Sequence, residues 1–381
     1  MSVAELLEGR RVCICAGPGG VGKTTTSAAI AVGMAASGLR VALVTIDPAR
    51  RLATALGLES LSNQPRLVPA DRFAEHGVEM KGELWAMMLD AKRNFDELIE
   101  RLAPDAETTK GIFENRIYQE LSSAVAGSQE FTAIAKLHEI ASEERFDLIV
   151  LDTPPSRNAL DFLDAPDRLT NFFEGRALKV FLRPTGIGAK VIGRGTGLVF
   201  SVLRRVTGVD LLEDVSTFFQ ALGGLIDGFR ERAAQVKAVL RDPGTTFLLV
   251  SAPEREPARE TAFFAEQLAA AGMPLGGLVV NRVRPGRAEK VDVDALTEEL
   301  TEPLGARLAE KVAESYREDR TRAAHQRETI AELQKTLGKK TPALLVPELE
   351  GDVHDIESLA RIQRHLFTSE GQRKRLLSAR G

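Results

Sequence analysis

"AGPGGVGKTTT" runs from Ala16 to Thr26 and decides the fold of this chain. Within it, Gly17 to Thr24 match the pattern G-x-x-x-x-G-K-[ST], whose glycines let consecutive backbone N–H groups curl around phosphate oxygens. The loop follows an apolar run at 11–16 and opens a helical stretch from Lys23 to Ser37, which Gly38 ends. A strand, a glycine-rich loop and a helix in this order predict a phosphate-binding loop, or P-loop.

Six more apolar runs end in turn or polar residues, which is typical of buried parallel strands. They cover residues 40–47, 84–90, 146–152, 245–252, 276–281 and 342–347. Helical stretches separate them, for example Pro257 to Ala271, which Gly272 ends. Strands that alternate with helices predict an α/β fold of the P-loop NTPase type, with a doubly wound, mainly parallel sheet and a helical insertion subdomain.

Two long intervals, 91–145 and 160–240, interrupt the alternation and have a helical pattern. We therefore predict a nucleotide-binding domain at 1–95, a helical segment at 96–145, more of the nucleotide-binding domain at 146–165, a helical, apolar-rich insertion at 166–240, and the rest of the nucleotide-binding domain with a C-terminal helix at 241–381. Phenylalanines concentrate at 172–229. This pattern indicates either ordinary helix packing or an exposed apolar groove for a client.

The composition is that of an ordinary globular protein. The chain has 381 residues, 44% of them hydrophobic, and a formal charge of −4, so nothing in it favours a nucleic-acid partner. The two cysteines, Cys13 and Cys15, alternate within one strand and face the same side, so we predict inert buried thiols. Without a signal peptide or a long apolar run, we predict a cytoplasmic protein that meets membranes only peripherally or through a partner.

The P-loop residues predict binding of ATP with Mg²⁺. Lys23 is expected to reach the β- and γ-phosphates, and the Thr24 hydroxyl to bind Mg²⁺. The predicted nucleotide-binding residues of the loop are Gly19, Gly20, Val21, Gly22, Lys23, Thr24 and Thr25.

Two aspartates end predicted strands and are candidates for the chemistry. Asp152 ends "FDLIVLD", an arrangement that holds Mg²⁺ through a water molecule, and Asp47 ends "RVALVTID". Both are expected at the carboxyl edge of the sheet, beside the P-loop. The alternative for each is a strand-ending turn residue.

Several segments together resemble one family. They are "GGVGKTTTSAAIAVGMAASGLRVALVTIDPARRLATALG", "FDLIVLDTPPSRNALDFL", "SAPEREPARETAFFAEQLAAAGMPLGGLVVNRV" and "VPELEGDVHDIESL". In order and spacing, from about residue 10 to residue 366, they are similar to the ArsA-type ATPases. That family includes arsenite-transport ATPases and cytosolic ATPases that target tail-anchored membrane proteins.

The resemblance implies roles for individual residues. Asp47 falls in the "DPA" switch I segment, where it would orient or activate the attacking water. Asp152 begins switch II, whose loop 153–160 would sense the γ-phosphate. Asn281 falls on the adenine-contacting asparagine, and an amide suits that role because it both donates and accepts. A strand-end capping role is the alternative for Asn281. The segment Val346 to Leu349 resembles the loop that covers adenine, with Pro347 and Leu349 as its contacts.

Three departures limit what the resemblance implies. Targeting members of the family often carry a C-x-x-C that binds zinc between two subunits, whereas this chain has only Cys13 and Cys15, so we predict no structural zinc site and no thiolate site for arsenite. Pro18 stands where the family has a signature lysine that reaches the phosphates of the other subunit, and proline has neither charge nor N–H. The candidate substitutes nearest in sequence to the switch segments are Arg50, Arg51 and Arg157; without one of them we expect slow turnover. Switch II also reads "SRNAL", without the histidine of many relatives.

These observations predict an ATPase that couples its nucleotide state to the opening and closing of a homodimer. Its partner is expected to be a hydrophobic protein segment or a membrane protein. Two alternatives remain open: an energising subunit of an arsenite or anion efflux system, and a scaffold ATPase of the partition and positioning type.

Overall fold

The computed structural model describes residues 1–46, 51–116, 118–119, 129–153, 218, 221, 223–284, 292–338, 340–349 and 355–378. Three features predicted from the sequence lie outside these ranges: Asp47, the switch II loop from 154 onward, and most of the apolar-rich insertion.

An eight-stranded sheet forms the centre of the fold, in the order β3-β4-β2-β5-β1-β6-β7-β8. The strands are β1 (Val12–Ala16), β2 (Arg40–Thr45), β3 (Arg66–Leu67), β4 (Glu83–Met88), β5 (Leu148–Asp152), β6 (Thr245–Ser251), β7 (Leu275–Val283) and β8 (Ala343–Pro347). Each neighbouring pair is parallel except β3 and β4. The prediction of a doubly wound, mainly parallel sheet is confirmed.

All seven predicted strands are present, and β3 is the additional one. Every residue of β1 and of β5 is buried, which explains their unbroken apolar runs. Both residues of β3 are exposed, so this two-residue edge strand leaves no apolar run in the sequence. Strands β2 to β5 lie on one side of β1, and strands β6 to β8, which follow them in the chain, lie on the other side. In open α/β sheets this reversal is where ligands bind.

The helices occupy the stretches between the strands. They are α1 (Val3–Leu7), α2 (Lys23–Ala36), α3 (Arg51–Ala55), α4 (Asp71–Ala74), α5 (Ala91–Leu102), α6 (Ala106–Glu114), α7 (Gln129–Ser142), α8 (Ile226–Arg241), α9 (Arg255–Ala270), α10 (Val293–Leu304), α11 (Ala306–Leu337), α12 (Ile356–Phe367) and α13 (Glu370–Ser378). None of them, as far as the structure describes the chain, is long and apolar enough to cross a membrane.

Helix α2 is buried along most of its length because it packs between the sheet and α12. At Gly33 the two helices approach so closely that a Cβ atom would lie 2.2 Å from the ring of Phe367. Close packing fixes the position of α2, and with it the loop that precedes it.

The chain divides into two compact units. The first, here called the P-loop unit, comprises Met1–Met88, Glu143–Ala159 and Arg241–Gly381 and contains the whole sheet. The second, here called the helical unit, comprises Leu89–Ser142 and Leu160–Leu240.

Aromatic packing and an ion-pair network stabilise the helical unit. The rings of Phe95 and Phe229 stack with centroids 5.7 Å apart. Arg101 donates two hydrogen bonds to Glu139, at 2.7 and 2.9 Å, and Lys136 donates another at 2.9 Å. Burial alone would raise the pKa of Glu139, but these hydrogen bonds outweigh it and lower that pKa to about 2.

Candidate nucleotide-binding site

The loop between β1 and α2 has a backbone that only glycine adopts readily. Gly17 and Gly22 have φ angles of 150° and 91°, in the region that L side chains rarely adopt. A Cβ atom on Gly17 would lie 2.0 Å from the carbonyl oxygen of Val250 in β6. A side chain at Gly17 would collide with β6. This explains why the motif has a glycine where the loop leaves β1.

Lys23 begins α2, and its side chain turns back over the loop. The side chain is buried, and Nζ donates to the carbonyl oxygens of Gly17 at 2.9 Å and Pro18 at 2.8 Å. Gly22 precedes it as the N-cap, so the N–H groups of the first helical turn point toward the loop. Gly19 and Gly20 are exposed, whereas Thr24 and Thr25 are half-buried.

Asp152 ends β5 beside the P-loop and is fully buried. Its Cα is paired with Cys15 of β1, and the hydroxyl of Thr45 at the end of β2 donates to Oδ2 at 3.0 Å. The next residue, Thr153, donates its hydroxyl to the Cys15 carbonyl at 2.8 Å. Three adjacent strand ends therefore hold this carboxylate at the carboxyl edge of the sheet, where the P-loop begins. The sequence analysis did not select Thr45, although it lies only two residues before Asp47.

Asn281 reaches the P-loop from β7. Its Nδ2 donates to the carbonyl oxygen of Val21 at 2.9 Å, and a Cβ atom on Gly22 would lie 2.3 Å from the same nitrogen. The amide is buried, with 7% of the residue exposed. The structure thus brings Asn281 to the nucleotide loop, while its contact with adenine stays a prediction.

Pro347 and Leu349 lie next to the end of β7. Pro347 is paired with Val283, and the N–H of Glu348 donates to the Val283 carbonyl at 2.9 Å. Leu349 is half-buried and packs against the hydrophobic core. The segment that resembles an adenine-covering loop is therefore two residues from Asn281 along the paired strand.

Other candidates are placed elsewhere or lie outside the described residues. Arg51 is exposed at the start of α3. Asp47, Arg50 and Arg157 fall outside the described ranges. Cys13 and Cys15 are buried, and the pKa of the Cys13 thiol is raised by its hydrogen bond with Cys15 and by burial. Among the described residues, no group of three or more His, Cys, Asp or Glu side chains could hold a metal ion.

The residues of the loop fit a nucleotide phosphate and its Mg²⁺. The glycine-rich backbone and the start of α2 supply N–H donors, and Lys23 supplies a buried cation. The Thr24 hydroxyl and the Asp152 carboxylate are oxygen ligands of the kind that Mg²⁺ prefers. A P-loop after β1 with a buried aspartate at the end of the adjacent β5 defines the class of protein as a P-loop NTPase.

Comparison with known proteins assigns the family. Residues 10–321 match the family described as anion-transporting ATPase. Because this match covers most of the chain, the chain belongs to that family and is an ATPase of the ArsA type.

Individual relatives share only about a quarter of their residues with this chain over the aligned regions. "ATPase GET3" of Malassezia globosa is 26% identical over 272 residues, which make up 71% of this chain and 71% of that protein. "ATPase ASNA1 homolog" of Cryptosporidium parvum is 27% identical over 272 residues, 70% of this chain and 63% of the relative. "ATPase ARSA2" of Chlamydomonas reinhardtii is 28% identical over 272 residues, 70% of this chain and 66% of the relative.

Proposed function

We propose that this chain hydrolyses Mg²⁺-ATP at the P-loop, and that the nucleotide state controls a dimer that handles hydrophobic protein segments. The position of Lys23 carries the proposal for the site. Lys23 is buried and its Nζ donates to the carbonyls of Gly17 and Pro18, so a phosphate that enters the loop would meet a cation able to form a charge-assisted hydrogen bond.

The chain's own residues would divide the work of hydrolysis. Lys23 and the loop N–H groups would bind and orient the phosphates, and Thr24 and Asp152 would hold Mg²⁺, Asp152 through water. Mg²⁺, when bound, would neutralise negative charge on the phosphate oxygens. The hydrogen bond from Thr45 supports this role, because it fixes the orientation of the Asp152 carboxylate before the metal arrives. Asp47 would orient the attacking water, as the resemblance implies.

Pro18 affects two expectations: the rate of ATP hydrolysis and the contact between the subunits of the dimer. It occupies the position of the family's signature lysine, and here its carbonyl is an acceptor for Lys23 of the same chain. A site that lacks the second cation would stabilise the charge of the transition state less well. We therefore propose slow turnover, with Arg50, Arg51 and Arg157 as the candidates that could supply the missing charge.

The proposal for the client rests on sequence and family. The phenylalanine-rich stretch 172–229 belongs to the insertion, and relatives of the targeting type handle membrane-protein segments. Capture of a hydrophobic peptide should depend on nucleotide and should be lost when residues 180–205 are deleted. Unchanged capture by the deletion variant would contradict the client proposal and leave the ATPase proposal standing. Stimulation of hydrolysis by arsenite would instead favour the efflux alternative.

ATP hydrolysis measured against protein concentration tests the central proposal. We expect Mg²⁺-dependent phosphate release whose rate per chain rises with concentration, because a dimer is required. A Pro18→Lys variant, which restores the family's cation, should hydrolyse ATP faster if the lost charge limits the rate. Absence of Mg²⁺-dependent hydrolysis at every concentration, in both proteins, would contradict the proposal.

A further inference from the structure

Arg284 connects three elements of the P-loop unit. Its Nε lies 3.2 Å from an oxygen of Glu348, its Nη1 donates to Asp319 of α11, and its backbone N–H donates to Gln326 of α11 at 2.9 Å. The side chain is 28% exposed, so solvent only partly screens these charges. One residue therefore joins the end of β7 to α11 and to the segment that follows β8.

The end of β7 is irregular where this connection occurs. The pairing of β7 with β8 shifts register between Val280 and Val283, and Arg282 has a φ angle of 59°. A residue other than glycine keeps a left-handed backbone only where its surroundings hold it there. The shift follows directly after Val280, so Asn281 lies in the distorted part of the strand.

The guanidinium group suits this position better than an ammonium group would. Its planar fork directs Nε and Nη1 to two different carboxylates at fixed angles, which a single flexible ammonium cannot reproduce. Glu348 is also tied to the strand by its N–H, which donates to Val283. Arg284 therefore fixes both the position of Glu348 and the direction in which the neighbouring residues, Pro347 and Leu349, leave the sheet.

We infer that Arg284 is a positioning residue for the base of the nucleotide: through Glu348 and Asp319 it sets the distance between Asn281 and the Pro347–Leu349 segment. The inference rests on the proposed ATPase function and deepens it. Within the described part of the chain, Arg284 bonds to Gln326, Asp319 and Glu348 and not to the P-loop or Asp152. Its influence on ligand binding should accordingly fall on the adenine and spare the phosphates.

Binding of Mg²⁺-ATP and of Mg²⁺-tripolyphosphate, measured by calorimetry on the full chain, separates these two effects. Tripolyphosphate has the phosphates but no base. We expect Arg284→Met to raise the dissociation constant of ATP about tenfold and that of tripolyphosphate less than about twofold. The matched control is Arg322→Met, which removes an exposed pair with Glu318 on the same helix and should change neither constant.

Each result has a defined meaning. If Arg284→Met weakens the binding of both ligands equally, Arg284 supports the P-loop and not the adenine site. If the dissociation constant of ATP is unchanged, Arg284 does not position the adenine site. Either result overturns the inference. A wild-type protein that binds tripolyphosphate but not ATP would contradict the inference about the base. A wild-type protein that binds neither ligand would contradict the proposed function itself.

Milder variants test the inference if Arg284→Met does not fold. Glu348→Gln and Asp319→Asn each remove one carboxylate from half-exposed positions and leave the arginine in place. We expect each to weaken ATP binding about threefold and to spare tripolyphosphate. Arg284→Lys, which keeps the charge but loses the fork, should be intermediate. If Glu348→Gln leaves the ATP constant unchanged, the inference fails.

Discussion

The P-loop and the network around Glu139 in the helical unit use charged side chains differently. At the P-loop, Lys23 and Asp152 are both buried; Lys23 donates to two backbone carbonyls, and Asp152 accepts from the Thr45 hydroxyl. In the helical unit, Arg101 and Lys136 both donate to the carboxylate of Glu139. The network around Glu139 pairs charges within the fold, whereas buried charged groups beside a phosphate-binding loop are candidates for a functional site. From this difference we expect the chemistry at the P-loop.

The largest effect should come from removing the lysine. Lys23→Ala deletes the one loop cation that the phosphates would meet, so we expect ATP hydrolysis to fall at least about 100-fold. Phosphate release at saturating Mg²⁺-ATP measures it. Lys335→Ala, at an exposed position in α11, is the matched control and should retain the parental rate. If Lys23→Ala hydrolyses ATP at the parental rate, the expectation that the chemistry lies at the P-loop is wrong.

The second largest effect is expected from a variant that separates ATP binding from ATP hydrolysis. Asp47→Asn should bind ATP within about twofold of the parent and hydrolyse it about 100-fold more slowly, because the amide cannot take a proton from water. Nucleotide titration and phosphate release on the same sample provide the two measurements. Hydrolysis at the parental rate would show that Asp47 is only a strand-ending residue.

A smaller effect tests the contact between the P-loop and β7. Gly22→Ala would place a Cβ atom 2.3 Å from Asn281 on a backbone with φ 91°, so we expect ATP binding to weaken about tenfold. Gly38→Ala is the matched control, because Gly38 has φ 108° but no neighbour within 4 Å. Both variants should lose stability, and only Gly22→Ala should lose affinity for ATP.

The smallest effect on activity, and the main effect on stability, is expected in the helical unit. Glu139→Gln removes a carboxylate that two cations share, so the free energy of unfolding should fall by about 1–3 kcal/mol at neutral pH. The control Glu114→Gln, in an exposed pair with Lys110, should change it by less than about 0.5 kcal/mol. Urea unfolding followed by circular dichroism measures both. A similar loss in the two variants would contradict the role of the network.

The pH dependence of that stability has a defined sign. The pKa of Glu139 is lowered from 4.5 to about 2 in the fold, so the unfolded chain takes up the proton first as the pH falls. The stabilisation is therefore complete above about pH 4.5 and is lost between about pH 4.5 and about 2. In Glu139→Gln this part of the pH dependence should disappear.

Most of the fold followed from local patterns. The apolar runs predicted seven of the strands because parallel strands are buried on both faces, and the glycine spacing predicted the P-loop because its backbone excludes side chains. The two-residue β3 could not be predicted, since both of its residues are exposed and so short a strand leaves no apolar pattern.

The sequence by itself determined the class of protein, because a P-loop depends on residues that are adjacent in the chain. It also selected Asp152, which ends β5, and Asn281, which it placed at a strand end but which lies two residues before the end of β7. Only the tertiary structure decided that Thr45 holds Asp152, that Asn281 bonds the carbonyl of Val21, and that Arg284 joins Asp319 to Glu348. These partners lie far apart in sequence, and no periodicity or spacing records a contact that arises when separate strands and helices pack together.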